Sequence, residues 1–176
     1  MSNAHWQLRP LTAADDLAQL TALIRAAYAP HLAAGLRFVG THQTVDVTRS
    51  RISEGDCFVA TEGATLVGTV LARPPQPHSR APLYRDPHTW SIGQLAVDPA
   101  RKGRGLGRAL HDFAAAHAAR RGARTLALDT AAPARGLIAL YEGWGYRIVG
   151  SVDWRPDTNY ESVLMAKAID PTRANN

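Results

Sequence analysis

The chain has 176 residues, 45% of them hydrophobic and 20% charged, which is enough apolar side chain for one core and too little charge for a disordered polypeptide. The formal net charge of +5 suits an anionic ligand, and no aromatic–basic platform of the kind RNA modules use accompanies it. Cys57 is the only cysteine, so no internal disulfide forms; no apolar run reaches membrane-spanning length, and the N-terminus lacks a secretory signal. The expectation is a cytoplasmic chain that meets no membrane.

Leu8 to Leu11 reads as a first strand. Thr12 has the chemistry of a helix N-cap, with Asp15 and Asp16 in the first turn, and Leu17, Leu20, Leu23, Ile24 and Ala27 then share one helical face. Pro30 predicts a break, followed by a second helical stretch from His31 to Leu36 and a third from Val45 to Ser53. Cys57 to Thr61 and Thr65 to Ala72 form a hairpin about Glu62-Gly63-Ala64. The proline-rich stretch from Arg73 to Thr89 is a long loop between strands, placed to overhang a site.

Trp90 to Val97 is the next strand, and it runs into Asp98-Pro99-Ala100-Arg101-Lys102-Gly103-Arg104-Gly105-Leu106-Gly107-Arg108. A helix follows from Arg104 to Arg121, with Leu106, Leu110, Phe113 and His117 on its buried face and Gly122 as its C-terminal cap. A glycine turn that opens a helix leaves backbone N–H groups without partners at the positive end of the helix dipole. Arg101, Lys102, Arg104 and Arg108 add charge there, so a polyanion is expected, and a pyrophosphate fits best. The lysine and hydroxyl that end a P-loop are missing, and the glycines repeat every second residue, unlike a dinucleotide fingerprint. The residues alone also allow an ordinary basic helix cap on a solvated surface. Thr125 to Asp129 reads as a buried strand, Ala134 to Gly143 as a short helix, and Tyr146 to Asp153 and Tyr160 to Lys167 as a closing strand pair. The order gives a mixed α/β fold around one sheet.

The glycine segment resembles the coenzyme A loop of the GCN5-related N-acetyltransferase (GNAT) family, Gln/Arg-x-x-Gly-x-Gly/Ala after a strand, with Lys102, Gly105 and Gly107 at its first, fourth and sixth positions. Lys102 departs from the pattern by keeping the charge without the planar fork of arginine. Leu137-Ile138-Ala139-Leu140-Tyr141-Glu142-Gly143-Trp144-Gly145-Tyr146 is similar to a second motif of that family, and the resemblance covers most of the chain. It implies a GNAT acyl-CoA acyltransferase-like fold, a mixed and mostly antiparallel central sheet flanked by helices, in a single N-acetyltransferase domain over residues 1–176. The implied cosubstrate is acetyl-coenzyme A, and the implied acceptor is a small-molecule or peptide amine; His78, His88, His111 and His117 form no zinc pattern with Cys57, so no metal is expected. No nucleic acid is expected, and the chain is expected to be a monomer or a homodimer.

The resemblance further implies that the backbone of Leu95, Ala96 and Val97 holds the pantetheine arm, with the N–H of Leu95 or its neighbour facing the thioester oxygen. Lys102, Gly103, Arg104, Gly105, Leu106, Gly107 and Arg108 would hold the phosphates. Thr130 would touch pantetheine or acceptor, or else cap the next helix. Tyr141 would protonate the leaving thiolate, whereas helix periodicity alone makes it a packing residue. Ala134 stands where relatives carry an asparagine, and Trp90-Ser91-Ile92-Gly93-Gln94 lacks their strand glutamate. The general base is left open: His31, His42, Asp153 or Glu161 acting through water, or a neutral amine selected from solution with no base. Tyr28, His31, Phe38 and His42, with Trp154, Asn159 and Tyr160, are expected either to line the acceptor pocket or only to pack the surface. The competing readings are a coenzyme A-binding sensor without catalysis and a basic nucleic-acid-binding domain.

Overall fold

The computed structural model describes residues 6–170. Seven strands form one sheet in the order β1-β2-β3-β4-β5-β7-β6, with β1 at Gln7–Pro10, β2 at Asp56–Glu62, β3 at Thr65–Arg73, β4 at Thr89–Val97, β5 at Thr125–Ala131, β6 at Arg147–Asp153 and β7 at Glu161–Ala168. Every neighbouring pair is antiparallel except β4 and β5. The helices are α1 (Leu17–Ala33), α2 (Val45–Ile52), α3 (Leu106–Arg120) and α4 (Arg135–Gly143).

Side-chain alternation along β2 sorts the helices into two layers. Val59 joins Leu20, Leu23 and Ile24 of α1 on one face, while Phe58 and Ala60 join Leu106, Leu110, Ala114 and Ala118 of α3 and Ile138 of α4 on the other. Helix α3 lies hard against β3: a Cβ on Gly68 would come 2.7 Å from Leu110 Cδ1. Gly122, at φ +86°, ends α3 as expected; its N–H bonds Ala119 O and that of Ala123 bonds Ala118 O.

Three expectations are corrected. Asp16, not Thr12, caps α1 through the Ala18 N–H, because the Asp15 carboxylate instead accepts from Thr12 and from Arg9 at 2.6 Å. Pro30 does not break the chain, and the stretch from His31 is the last turn of α1 rather than a second helix. A proline there removes one hydrogen bond near an end that Ala34 N–H already closes onto Pro30 O and His31 O. On α3, which begins at Leu106, the fully buried polar residue is His111, whereas Phe113 and His117 are only half-buried.

His111 ties α3 to the start of β6. Its Nδ1–H donates to Asp112 Oδ1 at 2.8 Å, and its Nε2 accepts from the buried Tyr146 hydroxyl at 2.9 Å. Burial pushes the imidazole down to about 4, so the folded protein holds it neutral. The unfolded chain, with an ordinary pKa of ~6.5, binds the extra proton between those values. Stability is therefore full above about pH 6.5 and should fall with acidification towards pH 4, by an amount on the order of 3 kcal/mol. Urea unfolding at stepped pH should show this slope, and His111→Gln should flatten it.

Candidate active site

Strands β4 and β5 pair only at Thr89–Thr125, Trp90–Leu126 and Ser91–Ala127. Beyond Ser91 they part. Strand β5 pairs along its whole length with β7 instead, and β4 carries a bulge against β3 between Gly93 and Ala96, where Gln94 takes a φ of +54°. The gap opens into a cavity of about 910 Å³. Its walls include Leu95, Ala96 and Val97 of β4, Thr130 of β5 and Tyr141 of α4, and its floor at one end is the glycine turn, with Lys102, Gly103, Gly105, Leu106, Gly107 and Arg108. Arg104 is exposed and does not line it.

The turn end is built to accept an anion. Gly105 caps α3 at φ +81°, in the left-handed region that favours glycine, and offers no side-chain hydrogen bond to the first-turn amides. Its basic surroundings are weaker than the residue count implies. Arg101 is taken by Glu62 and Asp98, each at 2.7 Å, and Arg108 by Asp112 at 2.9 Å. Lys102 faces the cavity and has no ion pair among the described residues.

At the other end Asp129 is the focus. Its Oδ1 accepts from the Tyr84 hydroxyl at 2.7 Å and its Oδ2 from Trp154 Nε1–H at 2.8 Å. Its carboxylate acts electrostatically on Tyr28, Arg51, Tyr141 and Tyr160 around it. No role was assigned to Asp129 or Tyr84 from the sequence. The signal was an acidic residue at the open end of a buried strand and a tyrosine within the proline-rich loop.

The tyrosine of α4 has its hydroxyl free of hydrogen bonds among the described residues, with its ring against Trp144 and Tyr146. Burial pushes its phenol well above the usual range, so it stays protonated but is a weaker acid than its ordinary value implies. Of the four base candidates only His31 lines the cavity, held neutral by burial within a ring cluster with Tyr28 and Phe38. Asp153 is paired with Arg155 at 2.6 Å, which holds its carboxyl down at about 2, and neither His42 nor Glu161 reaches the cavity.

Tyr28, Phe38, Trp154 and Tyr160 line the Asp129 end as expected. Asn159 serves differently: its Oδ1 accepts from Arg37 N–H at 2.8 Å and its Nδ2 donates to Gly35 O at 2.9 Å, joining two segments at the cavity rim. Two buried polar atoms of cavity residues, Gln94 Nε2 and Thr130 Oγ1, have no hydrogen-bond partner among the described residues. Uncapped amides and orphaned donors along one gap suit a long, polar, phosphate-bearing molecule such as coenzyme A. Among the described residues there is no group of three or more His, Cys, Asp and Glu that could hold a metal ion, and no helix is long and apolar enough to cross a membrane.

Residues 21–146 match the family model for the acetyltransferase (GNAT) family. N-acetyltransferase 8F1 of Mus musculus is 32% identical over 117 residues, 63% of this chain, and the chain spans about half the length of that curated relative. The ribosomal-protein-S18-alanine N-acetyltransferase of Escherichia coli has a similar fold, with a TM-score of 0.70, 21% identity and 94% of each chain covered. So has a GNAT family acetyltransferase from Elizabethkingia anophelis solved with acetyl-CoA bound, with a TM-score of 0.67, 15% identity, and 94% of this chain and 99% of that chain covered.

The glycine turn yields a graded prediction. A Cβ on Gly107 would meet only Val97 Cγ2 at 3.6 Å, so the fold tolerates a side chain there. Gly107→Ala should bind coenzyme A within a few-fold of the parent, whereas the branched side chain of Gly107→Val should weaken it at least tenfold, ~1.4 kcal/mol. Calorimetry reads the affinity, and an unchanged melting temperature shows that the loss belongs to the site.

Proposed function

The chain belongs to the GNAT acetyltransferase family, and from that premise we propose that it moves an acetyl group from acetyl-coenzyme A directly to a primary amine of a small molecule or peptide. The observation that carries the reading is one continuous cavity, which joins the uncapped start of α3 to the Tyr141 hydroxyl and the Asp129 carboxylate.

In this reading the amides of Leu106, Gly107 and Arg108 hold the pyrophosphate, with Lys102 beside them. The backbone of Leu95, Ala96 and Val97, on the β4 edge that β5 has left, holds the pantetheine arm as an added strand would. Thr130 Oγ1 and Gln94 Nε2 find in it the partners they lack within the protein. Arg104 falls outside the contact set, which narrows the expected phosphate residues. Leu95 N–H or its neighbour polarises the thioester carbonyl.

Asp129 holds the incoming amine and takes the proton released as the carbon–nitrogen bond forms, directly or through one water. It fills the role left open by the missing strand glutamate. As the carbon–sulfur bond breaks, Tyr141 gives its proton to the sulfur and regains one from solvent or from Asp129, so the proton count closes. A phenol held above its usual range gives up a proton readily only to a base that shares its surroundings. A thiolate inside the same low-dielectric cavity is raised in the same direction.

Free thiol released from acetyl-coenzyme A in the presence of amines tests the activity, and its absence with every amine would leave a coenzyme-binding sensor. Tyr141→Phe should lower kcat ~10²-fold with acetyl-coenzyme A affinity within a few-fold, given a burst assay in which chemistry limits the rate. Unchanged kcat under that condition makes Tyr141 a packing residue. Asp129→Asn should also lower kcat, and its activity should recover partly as the pH is raised and more of the amine is already neutral.

A further inference from the structure

Resting on the reading above, we infer that the acceptor is a small amine that also carries a carboxylate, held with its anionic end on Arg51 and its amino end towards Asp129. Arg51 stands at the end of α2 and lines the cavity. Among the described residues its guanidinium makes one hydrogen bond, from Nη1 to Gln43 Oε1 at 2.8 Å, and no ion pair, and its other donors have no acceptor there. The neighbouring carboxylates are engaged elsewhere: Glu54 accepts from Arg73 Nε at 2.7 Å, and Asp129 from Tyr84 and Trp154. A half-buried guanidinium left with one amide oxygen is short of an anion.

Arg51 is also held in place. Gln43, nearly fully buried, accepts from Arg51 through Oε1 and donates through Nε2 to Thr48 Oγ1 at 2.8 Å and to Gln94 Oε1 at 3.2 Å. The guanidinium is thereby tied through Gln43 to the β4 bulge. A planar, fixed fork of this kind matches a carboxylate.

The position separates this charge from the phosphate seat. The charged groups that act on Arg51 are Arg73, Glu54 and Asp129, none of them from the glycine turn. Arg73 lies against Gly93, which precedes Val97 by a stretch of strand of roughly 13 Å. The charged side chains that line this end are Arg51 and Arg73 against Glu54, Asp129 and Asp157. With Arg73 paired to Glu54, and Asp157 3.9 Å from Arg80, Arg51 and Asp129 remain to face a ligand. A zwitterion such as a free amino acid meets both; a polyamine meets Asp129 but puts a second cation on Arg51, and a peptide N-terminus offers an amide in place of the carboxylate.

The test compares free amino acids with their carboxamides, alongside spermidine and short peptides, by thiol release from acetyl-coenzyme A. At least one free amino acid should exceed its carboxamide by tenfold or more in kcat/KM. With that acceptor Arg51→Gln should raise KM at least tenfold and Arg51→Lys should recover part of the loss. Both variants should keep the calorimetric affinity for coenzyme A within a few-fold, and the loss with the free acid should exceed the loss with the carboxamide. Equal rates for acid and amide, or preference for spermidine or a peptide, would overturn the inference and leave the acetyltransferase reading standing. Release with no amine at all would overturn both.

Discussion

The structure depends on a strand pair that stops early. Strands β4 and β5 share three register positions and then separate, because each has a better-defined partner elsewhere. Strand β5 runs beside β7 over seven positions, from Thr125 to Ala131, and β4 stays on β3 through a bulge. A parallel pair continued to the end would have closed the sheet and left no gap. Parted, it leaves a row of backbone groups on β4 facing a cavity instead of a strand. A free strand edge is ordinarily an aggregation hazard, but here it lies inside the molecule, between helices on both faces.

The bulge does more than bend β4. With Gln94 in a conformation few non-glycine residues adopt, its side chain is turned into the interior, where Gln43 meets it. A hydrogen-bonded chain then runs from the strand through Gln43 to Thr48 and Arg51 of α2, and Thr48 continues it to Thr21 of α1 at 2.6 Å. The backbone irregularity in β4 thus also orients a charge on the cavity wall. Strand β4 and helices α1 and α2 are joined there by one polar network.

Much of this was legible in the chain. The hairpin of β2 and β3, the strand before the glycine turn, α3 and its Gly122 stop all follow from local signals: alternation, helical spacing and glycine placement. Eleven of the twelve candidate site residues line the cavity, because all but Thr130 and Tyr141 fall on one strand and the turn that follows it. What was not legible depends on distance. Nothing local to Asp129 announces Tyr84 and Trp154, and nothing near Arg101 announces Glu62. Counting basic residues in the turn overstated its free charge for that reason. Pro30 misled because the rule against internal proline is about a lost hydrogen bond, and a helix near its end has little left to lose.

Asn159 gives the molecule a constraint of another kind. One amide side chain, accepting from Arg37 and donating to Gly35, stitches the segment after α1 to the connection between β6 and β7, and Phe38 stacks on Tyr160 at 4.9 Å beside it. These pieces lie more than a hundred residues apart in sequence and both border the Asp129 end of the cavity. They form one arch, each ordering the other. A single half grafted from another chain would strand the amide and loosen the half that was kept, so the two segments can be exchanged only as a pair.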